Sequence, residues 1–278
     1  MVAPTRLAAL PLSAYGTGLA LDGDAVYLLS RTALYRLFAD KPPQKVALDL
    51  GIGSVFADSG IVFWSKGAVW NASRDGGNVW RVATAPTQPE YFVASDAGVA
   101  WLDRPANGPF RIQSLDGQRP RLLLSSEQDL SAVHMVHDGV FFVERAKDKS
   151  WRIGRVSIRG GDPVYTSARS GPTPALLTGS DSVIYYDMEK SEVRQLTPDL
   201  KSEHVWIQDF VCSPIHEAKN VYCARVEGLF AIVAETRQPK VLLQGRQTIT
   251  VIRANAKHVV WIVDQGGENL AVDMLPVD

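Results

Sequence analysis

Seven times along the chain, a short polar or Gly-containing turn gives way to a run of Val, Ile and aromatic residues. The runs are anchored at Val26, Val62, Val99, Val140, Val183, Val221 and Val259, so successive anchors lie 36, 37, 41, 43, 38 and 38 residues apart. The third repeat shows the internal pattern. Residues 90–94 form a short apolar run, 95–98 carry Asp-and-Gly turn chemistry, and 99–102 form a second run. Residues 103–108 read as a loop, 110–114 alternate as a third strand, Asp116-Gly117 turns, and 121–124 supply a fourth. Helical periodicity is absent. Four short strands in about 38 residues, seven times over, predict an all-β fold: a seven-bladed β-propeller of four-stranded antiparallel blades.

The same reading places inner strands at 18–21, 54–57, 132–136, 175–178, 210–213 and 250–254, and outer strands at 45–48, 79–83, 164–167, 204–207 and 240–243. The seventh repeat supplies 250–254, 259–263 and 269–275 but no fourth strand. An unclosed blade would leave strand edges and apolar surface in water, so residues 5–12 are predicted to complete it. The apolar stretch from Arg6 to Leu12 is therefore read as a structural strand and not a secretion signal, and residues 1–278 as one propeller domain.

Composition narrows the function classes. The formal net charge is −1, from 29 basic and 30 acidic side chains, with no long run of like charge. Nucleic-acid backbone binding needs a concentrated basic surface, so no nucleic-acid partner is expected. No apolar stretch is long enough to span a bilayer, and no direct membrane insertion is expected of this segment. Cys212 and Cys223 both fall in the sixth repeat. One register of a hairpin between 210–213 and 221–225 sets them opposite each other at about 4.5–5.5 Å, which suits a disulfide and an oxidising compartment. The alternative is two buried thiols.

Several repeats carry a recognisable strand grammar: Asp58-Ser59-Gly60-Ile61-Val62-Phe63-Trp64-Ser65 in the second, Phe110-Arg111-Ile112-Gln113-Ser114-Leu115-Asp116-Gly117 in the third, and Arg155-Val156-Ser157-Ile158-Arg159-Gly160-Gly161 in the fourth. This pattern resembles the YWTD, TolB and NHL-type propeller superfamily, particularly the seven-bladed propellers of bacterial secreted proteins and lipoproteins. The resemblance covers essentially the whole chain. It implies a periplasmic or cell-surface recognition domain that engages a protein partner through one propeller face, without a cofactor. The alternative it implies is a metal-dependent lyase or lactone hydrolase with its site at the central channel mouth. Receptor-type YWTD propellers have six blades, and the fifth and sixth repeats here depart from the turn pattern, which leaves the subfamily open.

The residues themselves offer no G-x-S-x-G elbow, no H-E-x-x-H and no phosphate-binding loop. Aromatics on the second strands, among them Tyr27, Phe63, Phe141, Tyr185, Tyr222 and Trp261, are expected to fill contacts between neighbouring blades. Four residues beyond the anchors lie Asp103, Glu144 and Asp187. Acids converging on one face are weak candidates for a hard-cation site, against the plainer expectation that each stabilises its own turn or pairs with a nearby Arg. On the loops of that face, Arg104, Arg145, Lys147 and Trp151 join Asp187 as candidates for a protein-binding surface, because Arg and aromatic side chains anchor interfaces. No catalytic residue is assigned.

Overall fold

The computed structural model describes residues 3–12, 17–30, 33–48, 55–57, 61–75, 77–85, 89–106, 108–177, 182–208, 215–217, 220–233 and 235–277. It contains seven four-stranded antiparallel sheets arranged as a β-propeller. Strand Thr5–Leu10 pairs antiparallel with Leu270–Pro276 and completes the seventh blade, with Ala9 opposite Ala271 and Leu10 opposite Leu270. Arg6 forms an ion pair with Asp273 on the neighbouring strand.

The hydrophobic pattern is explained by position within a blade. Second strands are covered on both faces by adjacent blades, so they read as nearly continuous apolar runs. His258–Asp264 is buried at its five central residues, and Val221–Arg225 at its first four. Outer strands see solvent, and Pro239–Gln244 is exposed or half-buried throughout. In blades one, three, five and six the pairing of third and outer strands shifts by a residue, at Leu34/Tyr35, Ile112/Gln113, Val193/Arg194 and Leu229/Phe230. Such bulges increase local twist and end regular pairing, which suits a blade's outer margin.

The chain divides into two compact units, Met1–Arg81 with Cys212–Asp278, and Val82–Val211. In the first, Leu7, Val260, Ile262 and Val272 of blade seven pack with Leu19, Val26 and Leu28 of blade one. Tyr27 and Leu34 of blade one meet Phe63 of blade two, and Tyr222 of blade six meets Trp261 of blade seven. In the second, Phe141 and Ile153 of blade four pack with Tyr185 and Leu196 of blade five. The second-strand aromatics thus fill contacts between blades.

Blade six departs from the sequence expectation. Its described inner strand is Ile215–Glu217, within the stretch read as a loop, and residues 210–213, where the sequence places that strand, lie outside the described residues. Cys223 is buried and its cross-strand neighbour is Ile215, so the register that would oppose it to Cys212 is not the one formed there. Cys212 lies outside the described residues. No helix among the described residues is long and apolar enough to cross a membrane.

Candidate functional site

The three acids singled out by spacing occupy equivalent places in the second unit. Asp103 ends strand Gly98–Asp103, Glu144 stands one residue from the end of Gly139–Arg145, and Asp187 ends Val183–Asp187. All three are buried, at 5%, 6% and 7% exposure, and buried carboxylates need partners. Their partners come from the same blade, from the following turn or, for Glu144, also from the outer strand of the neighbouring blade, while Asp103 Oδ1 is buried without one. Gln113 Nε2 on the third strand donates to Asp103 Oδ2 at 3.0 Å. Arg152 lies directly opposite Glu144 and its Nε donates to Oε2 at 2.6 Å, while the Ser126 hydroxyl donates to Oε1 at 2.9 Å. Asp187 Oδ1 accepts the backbone N–H groups of Glu189 and Lys190, both at 3.2 Å, and so holds the turn that follows. Among the described residues no three His, Cys, Asp or Glu side chains gather into a metal-binding group.

The basic and aromatic candidates divide. Arg104 is exposed and spans two blades, with Nε 3.0 Å from Glu90 Oε1 and Nη2 3.0 Å from Asp129 Oδ1. Its guanidinium lies over the Phe110 ring, 4.6 Å from the centroid. Tyr91, adjacent to Glu90, is 38% exposed. Arg145 is half-buried beside Asp129 in the strand register, and Lys147 is exposed on the following loop. That loop is a built turn: Asp148 Oδ1 accepts the Ser150 hydroxyl at 2.6 Å and amide at 2.8 Å, which hold the Asp148 carboxyl below the usual range.

Trp151 does not join this surface. It is 3% exposed, packed edge-to-face against Tyr185 at 6.1 Å, with the Arg169 guanidinium 5.5 Å from its ring. The indole follows a loop in sequence, but its alternating strand places it on the face turned toward blade five.

Beneath Trp151 lies a polar network that residue spacing does not reveal. Arg169 exchanges backbone hydrogen bonds with Trp151, both at 2.8 Å, and its guanidinium hydrogen-bonds Tyr185 and Glu203. Arg194 Nη1 reaches Glu203 Oε1 at 2.5 Å and its Nε reaches Glu192 Oε2 at 2.7 Å. Burial alone would raise the Glu203 carboxyl, but hydrogen bonds from Arg169, Tyr185 and Arg194 outweigh it and hold it at about 2. Burial, then the bond to Glu203, pushes the Tyr185 phenol up. Arg152 lies over the Tyr165 ring and Arg169 over that of Trp151, pairs 13 and 18 residues apart in sequence, so only the pairing of the strands identifies the partners.

No protein family's sequence pattern matches the chain, and no curated protein matches it in sequence. Similarity is confined to solved folds. An oligogalacturonate lyase from Vibrio parahaemolyticus superposes with a TM-score of 0.67 at 10% identity, covering 98% of this chain and 92% of that one. A Mycobacterium tuberculosis puromycin-hydrolyzing peptidase gives 0.66 at 13% identity, covering 100% of this chain and 54% of that one. BamB from Moraxella catarrhalis gives 0.53 at 14% identity, covering 93% and 84%. At these identities the fold alone is shared, and that fold serves two enzymes among these three.

Proposed function

We propose that this chain is a non-enzymatic recognition scaffold that binds a protein partner through the second-to-third-strand loops of blades three and four. The observation that carries the reading is the division of labour on that face. The acids Asp103, Glu144 and Asp187 have hydrogen bonds within the chain, whereas Arg104, Tyr91 and Lys147 stand exposed. Arg and Tyr are the side chains that concentrate binding energy at protein interfaces, and Arg104 is held in place by two carboxylates and a ring before any partner arrives. A partner with an acidic rim suits Lys147 and Arg145. We place the activity outside the cytoplasm, in keeping with the secreted and lipoprotein propellers that the repeats resemble.

The test is affinity capture from the source organism with the full chain, quantified by mass spectrometry, beside a variant carrying Arg104→Ala, Arg145→Ala and Lys147→Ala. The expected result is one protein enriched in near-stoichiometric amount and depleted at least about tenfold by the variant. Thermal melting of the variant verifies that it is folded. Equal capture by both chains would remove this face from the reading, and turnover of a substrate abolished by Asp103→Asn would replace the scaffold with an enzyme.

A further inference from the structure

The first unit contains a cavity of about 650 Å³, bounded by blades seven, one and two. It lies where the first strand of a blade turns into the second and the third into the outer. Ligand sites commonly occupy about 300–1,000 Å³ and combine an apolar wall with a few placed polar groups. Here Leu7, Val26 and Met274 supply apolar wall.

The charged groups of the lining are mostly satisfied already. Arg74 Nε lies 2.6 Å from Asp22 Oδ2, and the Tyr27 hydroxyl donates to the Arg74 carbonyl at 2.8 Å, fixing the turn that carries it. Lys257 Nζ lies 3.1 Å from Asp24 Oδ1, with His258 Nδ1 at 3.8 Å from the same oxygen. Arg36 differs. It sits directly opposite Tyr27 in the sheet, its Nε is buried with no hydrogen-bond acceptor, and among the described residues it has no ion-pair partner. Its guanidinium lies 5.2 Å from the centroid of the Phe38 ring, and both residues line the cavity. A guanidinium that lines a cavity with no carboxylate paired to it is an uncompensated charge, and its planar fork is shaped to receive a carboxylate.

We propose that this cavity binds a small organic monocarboxylate, which accepts hydrogen bonds from Arg36 and lays its apolar body against Leu7, Val26 and Met274. The single charge follows from the rest of the lining. Asp22, Asp24 and Asp40 share the cavity, and Asp40 is exposed at its margin, so a doubly charged phosphate meets more repulsion than a carboxylate does. This site lies in the first unit and does not depend on the reading of blades three and four.

Calorimetric titration of the full chain with sodium benzoate, benzamide and inorganic phosphate tests the proposal. Benzoate is expected to bind saturably, while its neutral isostere benzamide and phosphate do not. Arg36→Gln is expected to weaken benzoate at least about tenfold, the loss expected of a charge-assisted bidentate contact. Asp40→Asn, an exposed change that leaves folding intact, is expected to strengthen benzoate binding and so tests the same field without touching Arg36. Absence of saturable benzoate binding, equal binding of benzamide, or equal binding of benzoate by Arg36→Gln would overturn the site. Phosphate binding as tight as benzoate would overturn the monocarboxylate assignment.

Discussion

Glu203 and Gly154 show how much a single position in the second unit carries. Glu203 is held at about 2 against an ordinary value of 4.5, so it binds a proton less readily folded than unfolded. Its contribution to stability is whole above pH 4.5 and is lost as pH falls toward 2. Glu203→Gln is expected to cost about 2 kcal/mol at pH 7, because Arg169 and Arg194 lose a charged acceptor. Urea melts at pH 7 and pH 3 check the sign: the gap between wild type and variant should shrink at the lower pH. Gly154 lies opposite Phe142 in the sheet, and a Cβ there would press into the Phe142 ring and come within 2.8 Å of Tyr165 Cε1. Gly154→Ala is expected to destabilise by about 1–3 kcal/mol through overpacking, measured by thermal or urea melting. Nothing in the sequence marks Gly154 apart from other glycines, since the ring pair Phe142–Tyr165 that closes over it forms only when the blade's second, third and outer strands align.

At the scale of the element, the strand Thr5–Leu10 is the most consequential. Its Leu7 and Ala8 are buried in the cluster that joins blade seven to blade one, and its backbone covers the edge of Leu270–Pro276. Leu7→Ala is expected to cost about 3 kcal/mol, the usual loss on emptying a buried leucine site. Deleting residues 1–12 should lower the melting temperature further, because it also bares a sheet edge. A deletion variant that melts with the wild type would contradict the closure of blade seven. This strand was legible because the seventh repeat lacked a partner while the N-terminus had one to offer. The inner strand of blade six was not. Its sequence between Cys212 and Cys223 lacks the Asp-and-Gly turn used elsewhere, so period and punctuation could not locate the strand at Ile215–Glu217. Register likewise decided the acids. Glu144 opposite Arg152 and Asp103 diagonal to Gln113 are cross-strand neighbours, so knowing the strands was not enough without their alignment.

For the whole molecule, a formal net charge of −1 leaves no broad basic field. Fluorescence anisotropy with a short DNA duplex at physiological salt is expected to show no binding tighter than about 1 µM; tighter binding would contradict the exclusion of nucleic acid. The sequence by itself determined the architecture, because alternation of period two, turns every few residues and a repeat of about 39 residues are local signals that each blade writes again. It also determined which aromatics fill the contacts between blades, since their repeat positions coincide. Tertiary structure alone decided which polar groups are available. Trp151 and Arg104 are equally plausible anchors in the sequence, yet strand alternation buries one against Tyr185 and leaves the other exposed between Glu90 and Asp129. Arg36 looks like any strand arginine until the blades enclose its Nε without an acceptor. Repeats specify how chain segments pair with their neighbours in sequence, but whether a charge finds its partner depends on residues tens to hundreds of positions away.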